Sequence, residues 1–511
     1  MDSKGSKLYR EPNAVSAVRG VSYLWLQNIV SLVARVVAFA FFARLISVSD
    51  MGVFTILSLA YTAASTFLTL GTTSVLTKFV AESVAKGDRV EAASVYYEAL
   101  VLTELASILI AVGLLIARFP AGISHLPNSQ LISLIGILFA ADVIVSFGPI
   151  PAAAFYGVLE FKAYAVIYTV YASLRPWLVI LLIYEVKSLV GLMGAWVISD
   201  SALSITVFVY LWRRLGPPVF RFDAKYLLKL SSPLYVASAA SFLYGNFDQL
   251  TLIPLVSLTG LGVYGAAITA YSAYYSLVSV LGTVLLPVFS GVHGVKGPEV
   301  LKDSVRTASR YVSLVAMPMA FTLLALAKPA LTLFVGRSYE GGAIPLAVLA
   351  LGSTASIIAL SLSPILIVLN ETLLAALTFI LPIPLGVGLA LISIPAIGIV
   401  GAAIARGFTM VLGLLLTWYC VRRKIAAQLD YTTIMKSVMA SGVMALSMEA
   451  LQLLVYSRFL LPLYLAVGLL VYLLAMRAFR AMNAADIELL RRTLGPRFGG
   501  ICDLLSRLVL P

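Results

Sequence analysis

Ser47-Val48-Ser49-Asp50-Met51-Gly52-Val53-Phe54 returns 210 residues later as Ser257-Leu258-Thr259-Gly260-Leu261-Gly262-Val263-Tyr264. At the same offset Tyr61-Thr62-Ala63 meets Tyr271-Ser272-Ala273, Leu76 meets Leu286 and Phe79 meets Phe289. Further on, Gly191-Leu192-Met193-Gly194-Ala195 returns as Gly398-Ile399-Val400-Gly401-Ala402, at an offset of 207. One match among small residues carries little in an apolar chain. Two in order, at nearly one offset and in the same segment of each half, indicate a duplication.

The duplicated material is apolar helix. Of 511 residues, 61% are hydrophobic and 12% charged, against roughly 45–50% and 25% in soluble domains. With a mean hydropathy of +1.01, a water-soluble enzyme is excluded. A bilayer-spanning helix needs about 20 mostly apolar residues. Fourteen stretches qualify: 17–46, 51–77, 94–117, 130–150, 163–185, 188–212, 232–258, 262–290, 308–335, 343–369, 372–395, 398–420, 433–456 and 459–479. Unpaired backbone cannot sit in hydrocarbon, and no run alternates as a barrel strand does, so these stretches read as helices. The expected fold is an all-α polytopic membrane protein of about fourteen spans.

Six spans per copy is an even number, so both copies keep one orientation and form a parallel repeat about the membrane normal. The expected organisation is a cytoplasmic tail 1–16, an N-lobe 17–212, a linker 213–231, a C-lobe 232–420, a linker 421–432, two further spans in 433–479, and an amphipathic tail 480–511. In that tail Ile501, Leu504, Leu505 and Leu508 recur at helical spacing beside Arg497 and Arg507, a pattern suited to an anionic leaflet surface.

The net charge of +13 reads as topology rather than nucleic-acid binding. With these spans, 27 of the 36 Lys and Arg fall on the side that holds both termini and 6 on the other. The positive-inside rule then predicts cytoplasmic termini and a cytoplasmic (plasma) membrane location. Two cysteines and two distant histidines offer no metal or disulfide framework. No P-loop occurs, and the longest outside loop, near Arg118–Ser129, holds no acid. The expectation is a transporter with no cofactor, not an enzyme.

Charges inside the spans carry the functional reading. Arg35, Glu104, Asp142, Arg175, Asp200, Asp248, Arg406 and Glu449 lie well within apolar runs. Each is costly against lipid and is expected to face the bundle interior or a wet cavity. They either glue helices by pairing or form a path. Under the 210 offset Asp248 corresponds to Ala38, one turn from Arg35, so the two sit at similar depth. Asp248 either titrates or pairs with Arg35, and the pairing is the favoured reading. Pro176 interrupts the fifth span, and Pro382 and Pro384 the eleventh, where kinks would suit a moving gate.

In order along the chain, these features resemble a family. Ala43-Arg44-Leu45-Ile46-Ser47 before Asp50-Met51-Gly52-Val53-Phe54, Ser232-Pro233-Leu234, Asp248, Gly262-Val263-Tyr264, Gly336-Arg337-Ser338-Tyr339 and Gly398-Ile399-Val400-Gly401-Ala402-Ala403 are similar to polysaccharide and oligosaccharide flippases. That family sits in the multidrug/oligosaccharidyl-lipid/polysaccharide (MOP) exporter superfamily. The resemblance implies an inverted-V of two six-helix lobes, working by alternating access on a polyprenyl-(pyro)phosphate-linked glycan. It makes Arg35, Arg175 and Arg406 the candidate phosphate contacts, an arginine role that its bidentate fork suits. It leaves Asp248, Asp200, Glu104 and Asp142 as coupling or gating acids for H+ or Na+. The implied partners are the lipid-linked glycan and membrane lipids, without nucleic acid, for a monomer. The alternative is a proton- or sodium-coupled multidrug exporter, although the helix 1 acid of one such group is replaced here by Arg35. A scaffold that transports nothing and an uncoupled lipid scramblase are the remaining classes.

Overall fold

In the computed structural model, residues 14–116, 129–221, 223–483, Asp486 and Val509 are described. Most of the amphipathic tail and the outer loop near Arg118 lie outside the described residues. The chain divides into two compact units between Gly245 and Asn246. The first contains α1 (Ala14–Leu45), α2 (Val48–Phe67), α3 (Thr72–Ala85), α4 (Arg89–Ile116), α5 (Ser129–Val145), α6 (Ile150–Gly157), α7 (Phe161–Val186), α8 (Leu189–Leu215) and most of α9 (Ala224–Leu252). The second takes the end of α9 and then α10 (Leu258–Ala325), α11 (Ala327–Phe334), α12 (Ala343–Leu360), α13 (Ser363–Val368), α14 (Thr372–Ile380), α15 (Pro382–Ile397), α16 (Ile399–Ile425), α17 (Tyr431–Leu454) and α18 (Leu461–Ala478). Among the described residues there is no strand.

Twelve helical stretches among the described residues are long and apolar enough to cross a membrane; the expectation of fourteen is for the whole chain. Outside the twelve are α9 and the first half of α10. In α9, Asn246, Asp248 and Gln249 dilute the hydropathy. The spans expected at 262–290 and 308–335 share one helical run of 68 residues. Straight, that run would measure about 100 Å, three times a hydrocarbon core. It is not straight. Val278 shares one buried cluster with Val312, Ala316, Met317 and Ala320, and a straight helix would hold Val278 and Met317 about 58 Å apart. The run therefore doubles back into two packed arms.

Local structure repeats between the units more closely than the sequence does. Ser47 and Ser257 are both extended N-caps whose hydroxyls accept from the backbone N–H three residues on. The helices α8 and α16 begin and end 210 residues apart, and α7 and α14 begin 211 apart. Just before α7 and α14, Leu159 and Asn370 adopt φ of 58° and 59°. The residue after each then turns to a basic side chain: Glu160 meets Arg214 at 2.6 Å, and Glu371 meets Lys424. Gly191 and Gly401 are equivalent close crossings. A Cβ at Gly191 would lie 2.4 Å from the Leu182 carbonyl oxygen, and one at Gly401 would lie 2.4 Å from that of Ser393. The 207-residue register therefore needs correcting. Gly191 matches Gly401, not Gly398, and Gly398 matches the N-cap Ser188. The 207-residue register would pair Gly194 with Gly401, but a Cβ at Gly194 meets nothing within 4 Å, and the close crossings are at Gly191 and Gly401.

Candidate functional site: one buried ion pair in each unit

In the first unit, α7 carries Tyr171 and Arg175 one turn apart, and α8 carries Trp196 and Asp200 one turn apart. Helical spacing puts each pair on one face. Arg175 Nη1 lies 3.2 Å from Asp200 Oδ1 and also donates to the Tyr171 hydroxyl, which donates to Asp200. Tyr61 of α2 donates to Asp200 Oδ2 at 3.2 Å. The guanidinium stands 4.8 Å from the Trp196 ring centre and 5.3 Å from that of Tyr61, within cation–π range. Next in sequence, Pro176 has no N–H for the Ala172 carbonyl, yet α7 continues through it.

Asp142 of α5 completes this cluster. It is fully buried, and neither carboxylate oxygen has a hydrogen-bond partner among the described residues. Asp200 and Arg175 act on it electrostatically. A cavity of about 10 Å³ lies alongside, bordered by Tyr61, Ser65, Thr103 and Ser146; that is room for about one water. The cluster thus holds two carboxylates and one guanidinium.

In the second unit one cluster pairs a single acid with a single arginine. Asp248, fully buried at the end of α9, takes Arg406 Nη1 of α16 at 2.7 Å and the hydroxyl of Tyr264 from α10. The Tyr271 ring centre lies 5.7 Å from the Arg406 guanidinium. Arg406 is therefore the partner of Asp248, where the sequence reading favoured Arg35. Matched depth on two helices says nothing about which way each side chain turns.

Arg35 is placed differently. It lies on the face of α1 that buries Ser31, Ala38 and Phe42, at spacings of four, three and four residues, yet it is itself exposed. Its Nε donates to the Ser31 carbonyl at 3.2 Å. On α4, Glu104 is partly buried, with Oε1 lacking a hydrogen-bond partner among the described residues. Glu449 on α17 is exposed. Of the seven expected site residues, the structure joins Arg175, Asp200 and Asp142 in one cluster and Asp248 with Arg406 in another.

The tyrosines and Trp196 were not anticipated. Two signals pointed to them: Tyr171 sits four residues before Arg175, and Tyr61 and Tyr271 are equivalent under the 210 offset.

Apolar spanning helices that bury ion pairs across their contacts define a multi-pass membrane protein. The fold is similar to that of the lipid II flippase MurJ in an inward closed conformation, at 16% identity and a TM-score of 0.67, covering 90% of this chain and 98% of that one. It is similar to an inward-facing multidrug resistance MATE family transporter of the MOP superfamily, at 16% identity and a TM-score of 0.65, covering 80% and 98%. A mutant form of the Vibrio cholerae MATE transporter VcmN gives 15% identity and a TM-score of 0.56, covering 81% and 99%. No curated protein matches in sequence. Residues 41–343 match the polysaccharide biosynthesis protein family, and the chain belongs to that family.

Proposed function

We propose that this protein flips a polyprenyl-(pyro)phosphate-linked oligosaccharide across the membrane by alternating access, with Arg35 as the substrate's phosphate contact. One observation carries the choice of residue. Arg175 and Arg406 are each engaged by a carboxylate inside their own unit, whereas Arg35 is exposed on the inner face of its helix. Arg175 and Arg406 hold their units together, and Arg35 offers its fork to phosphate oxygens. The family and the likeness to a lipid II flippase support a lipid-linked glycan as cargo.

The surplus carboxylate of the first unit supports coupling to H+ or Na+, with Asp142 as the acid. Asp248 is spent on Arg406 and drops from first coupling candidate to structural anchor. The same surplus favours the second reading, a cation-coupled drug exporter, because an acid beyond what the arginine neutralises also suits a cationic cargo.

The test is flipping of a fluorescent lipid-linked oligosaccharide in proteoliposomes. Arg35→Glu is expected to lower the rate at least tenfold, with normal insertion. Flipping at the wild-type rate in Arg35→Glu removes Arg35 from the substrate path. Efflux of cationic dyes without glycan flipping selects the exporter.

A further inference from the structure

An apolar groove of about 450 Å³ lies between the ends of α1 and α7, within the first unit. Phe41 and Leu45 line it from α1, and Trp177, Leu181 and Tyr184 from α7. The Phe41 and Trp177 rings approach to 5.9 Å. These side chains are open to the surroundings: Leu181 is 55% exposed and Tyr184 66%. On a spanning helix such a face meets hydrocarbon, and tryptophan and tyrosine mark the level where tails give way to headgroups.

Arg44, in the last turn of α1, is the one charged residue lining the groove. Lys187 is exposed just beyond α7, beside the exposed Glu185. An apolar channel that ends at a guanidinium complements a molecule with a hydrocarbon chain and a phosphate. Arginine suits the join, since its stem packs on apolar surface while its fork takes phosphate oxygens.

We propose that this groove is a binding site for an anionic membrane phospholipid, with one acyl chain between α1 and α7 and the phosphate on Arg44. The occupant is a resident lipid rather than the cargo, because the groove is on a different side of α1 from Arg35. Phe41 continues the exposed stripe of Val33 and Val37, whereas Arg35 shares the face of Ser31, Ala38 and Phe42. A lipid seated there braces α1 against α7, the helices that bear Arg35 and Arg175. This assignment does not depend on what the protein transports.

Native mass spectrometry of the purified protein with phosphatidylglycerol or phosphatidylcholine tests the site. The wild type is expected to retain phosphatidylglycerol preferentially. Arg44→Gln should cut that preference about fivefold, the weight of one basic side chain at an anionic surface. Arg44→Lys should keep most of it, which guards against a folding artefact. Leu181→Trp, which fills the groove, should lower retention of both lipids. Undiminished preference in Arg44→Gln, or unchanged retention in Leu181→Trp, means the lipids bind elsewhere and overturns the site. Displacement of phosphatidylglycerol by polyprenyl phosphate at equal concentration overturns the resident-lipid assignment in favour of the cargo's tail.

Discussion

Arg175 and Arg406 each sit against a carboxylate with almost no access to water, so truncating either strands a charge. Losing one partner of a buried pair costs about 3–5 kcal/mol, while removing both together is often tolerated. Arg175→Gln is expected to lower the melting temperature in detergent sharply, and adding Asp200→Asn should recover at least half of the loss. Arg406→Gln with Asp248→Asn should behave alike, with the same non-additivity that marks groups in contact. Thermal shift on the four single and two double variants measures this; additive losses in both pairs would mean the pairs do not form. The charges themselves were legible as breaks in apolar runs. Their partners were not, because pairing depends on the rotation of each helix about its axis. Asp248 and Arg35 match in depth, but Asp248 turns to α10 and α16, where Tyr264 and Arg406 wait. The ring of tyrosines around each guanidinium was legible only in part, through the i, i+4 spacing of Tyr171 and Arg175.

Helix starts were the most legible elements, because the residues that cap a helix act locally. Ser47 and Ser257 cap α2 and α10 with the same hydrogen bond, so the 210-residue offset visible in the sequence is the offset of the fold. Helix interiors were less legible. The second expected span, 51–77, divides between α2 and α3 around Gly71, which has a φ of 73°. The eleventh divides at Leu381, before Pro382 opens α15, whereas the fifth absorbs Pro176 without a break. A proline costs one hydrogen bond in each case, and packing decides whether the helix ends. Crossings expose the register error most directly. At Gly191 and Gly401 a methyl group would press on backbone, which cannot swing aside as a side-chain tip can. Gly191→Ala and Gly401→Ala are therefore each expected to destabilise by about 1–3 kcal/mol, the usual cost of overpacking. Gly194→Ala, with open space at its Cβ, should stay near wild type. Equal melting temperatures for Gly194→Ala and Gly191→Ala would restore the 207-residue register.

At the scale of the molecule, the duplication preserved helices and crossings but not charges. Ala38 stands where the repeat has Asp248, and Gly386 where it has Arg175, so each unit built its pair from non-equivalent positions. The outcome is unequal. The Asp248 cluster pairs one acid with one arginine, whereas the Asp142 cluster sets Asp142 and Asp200 against Arg175. Elsewhere in the second unit Arg310 meets both Asp430 and Asp486, but those acids also accept from Thr433 and Tyr311. An uncompensated charge in a buried, low-dielectric setting is expensive. The Asp142 cluster, whose second carboxylate meets no donor among the described residues, is therefore where an H+ or a Na+ gains most by binding, and a bound cation there stabilises whichever conformation buries the pair better. Asp142→Asn supplies the neutralisation permanently. It is expected to leave the protein folded and slightly more stable, and to make transport insensitive to imposed pH and sodium gradients. Asp248→Asn should do the opposite, lowering stability while any remaining transport keeps its gradient dependence. Transport in proteoliposomes under imposed proton and sodium gradients, read beside melting temperatures, separates the two. If Asp142→Asn transports with the wild-type response to both gradients, the surplus carboxylate is not the coupling site. If Asp248→Asn loses that response while staying as stable as the wild type, the coupling acid lies in the second unit after all.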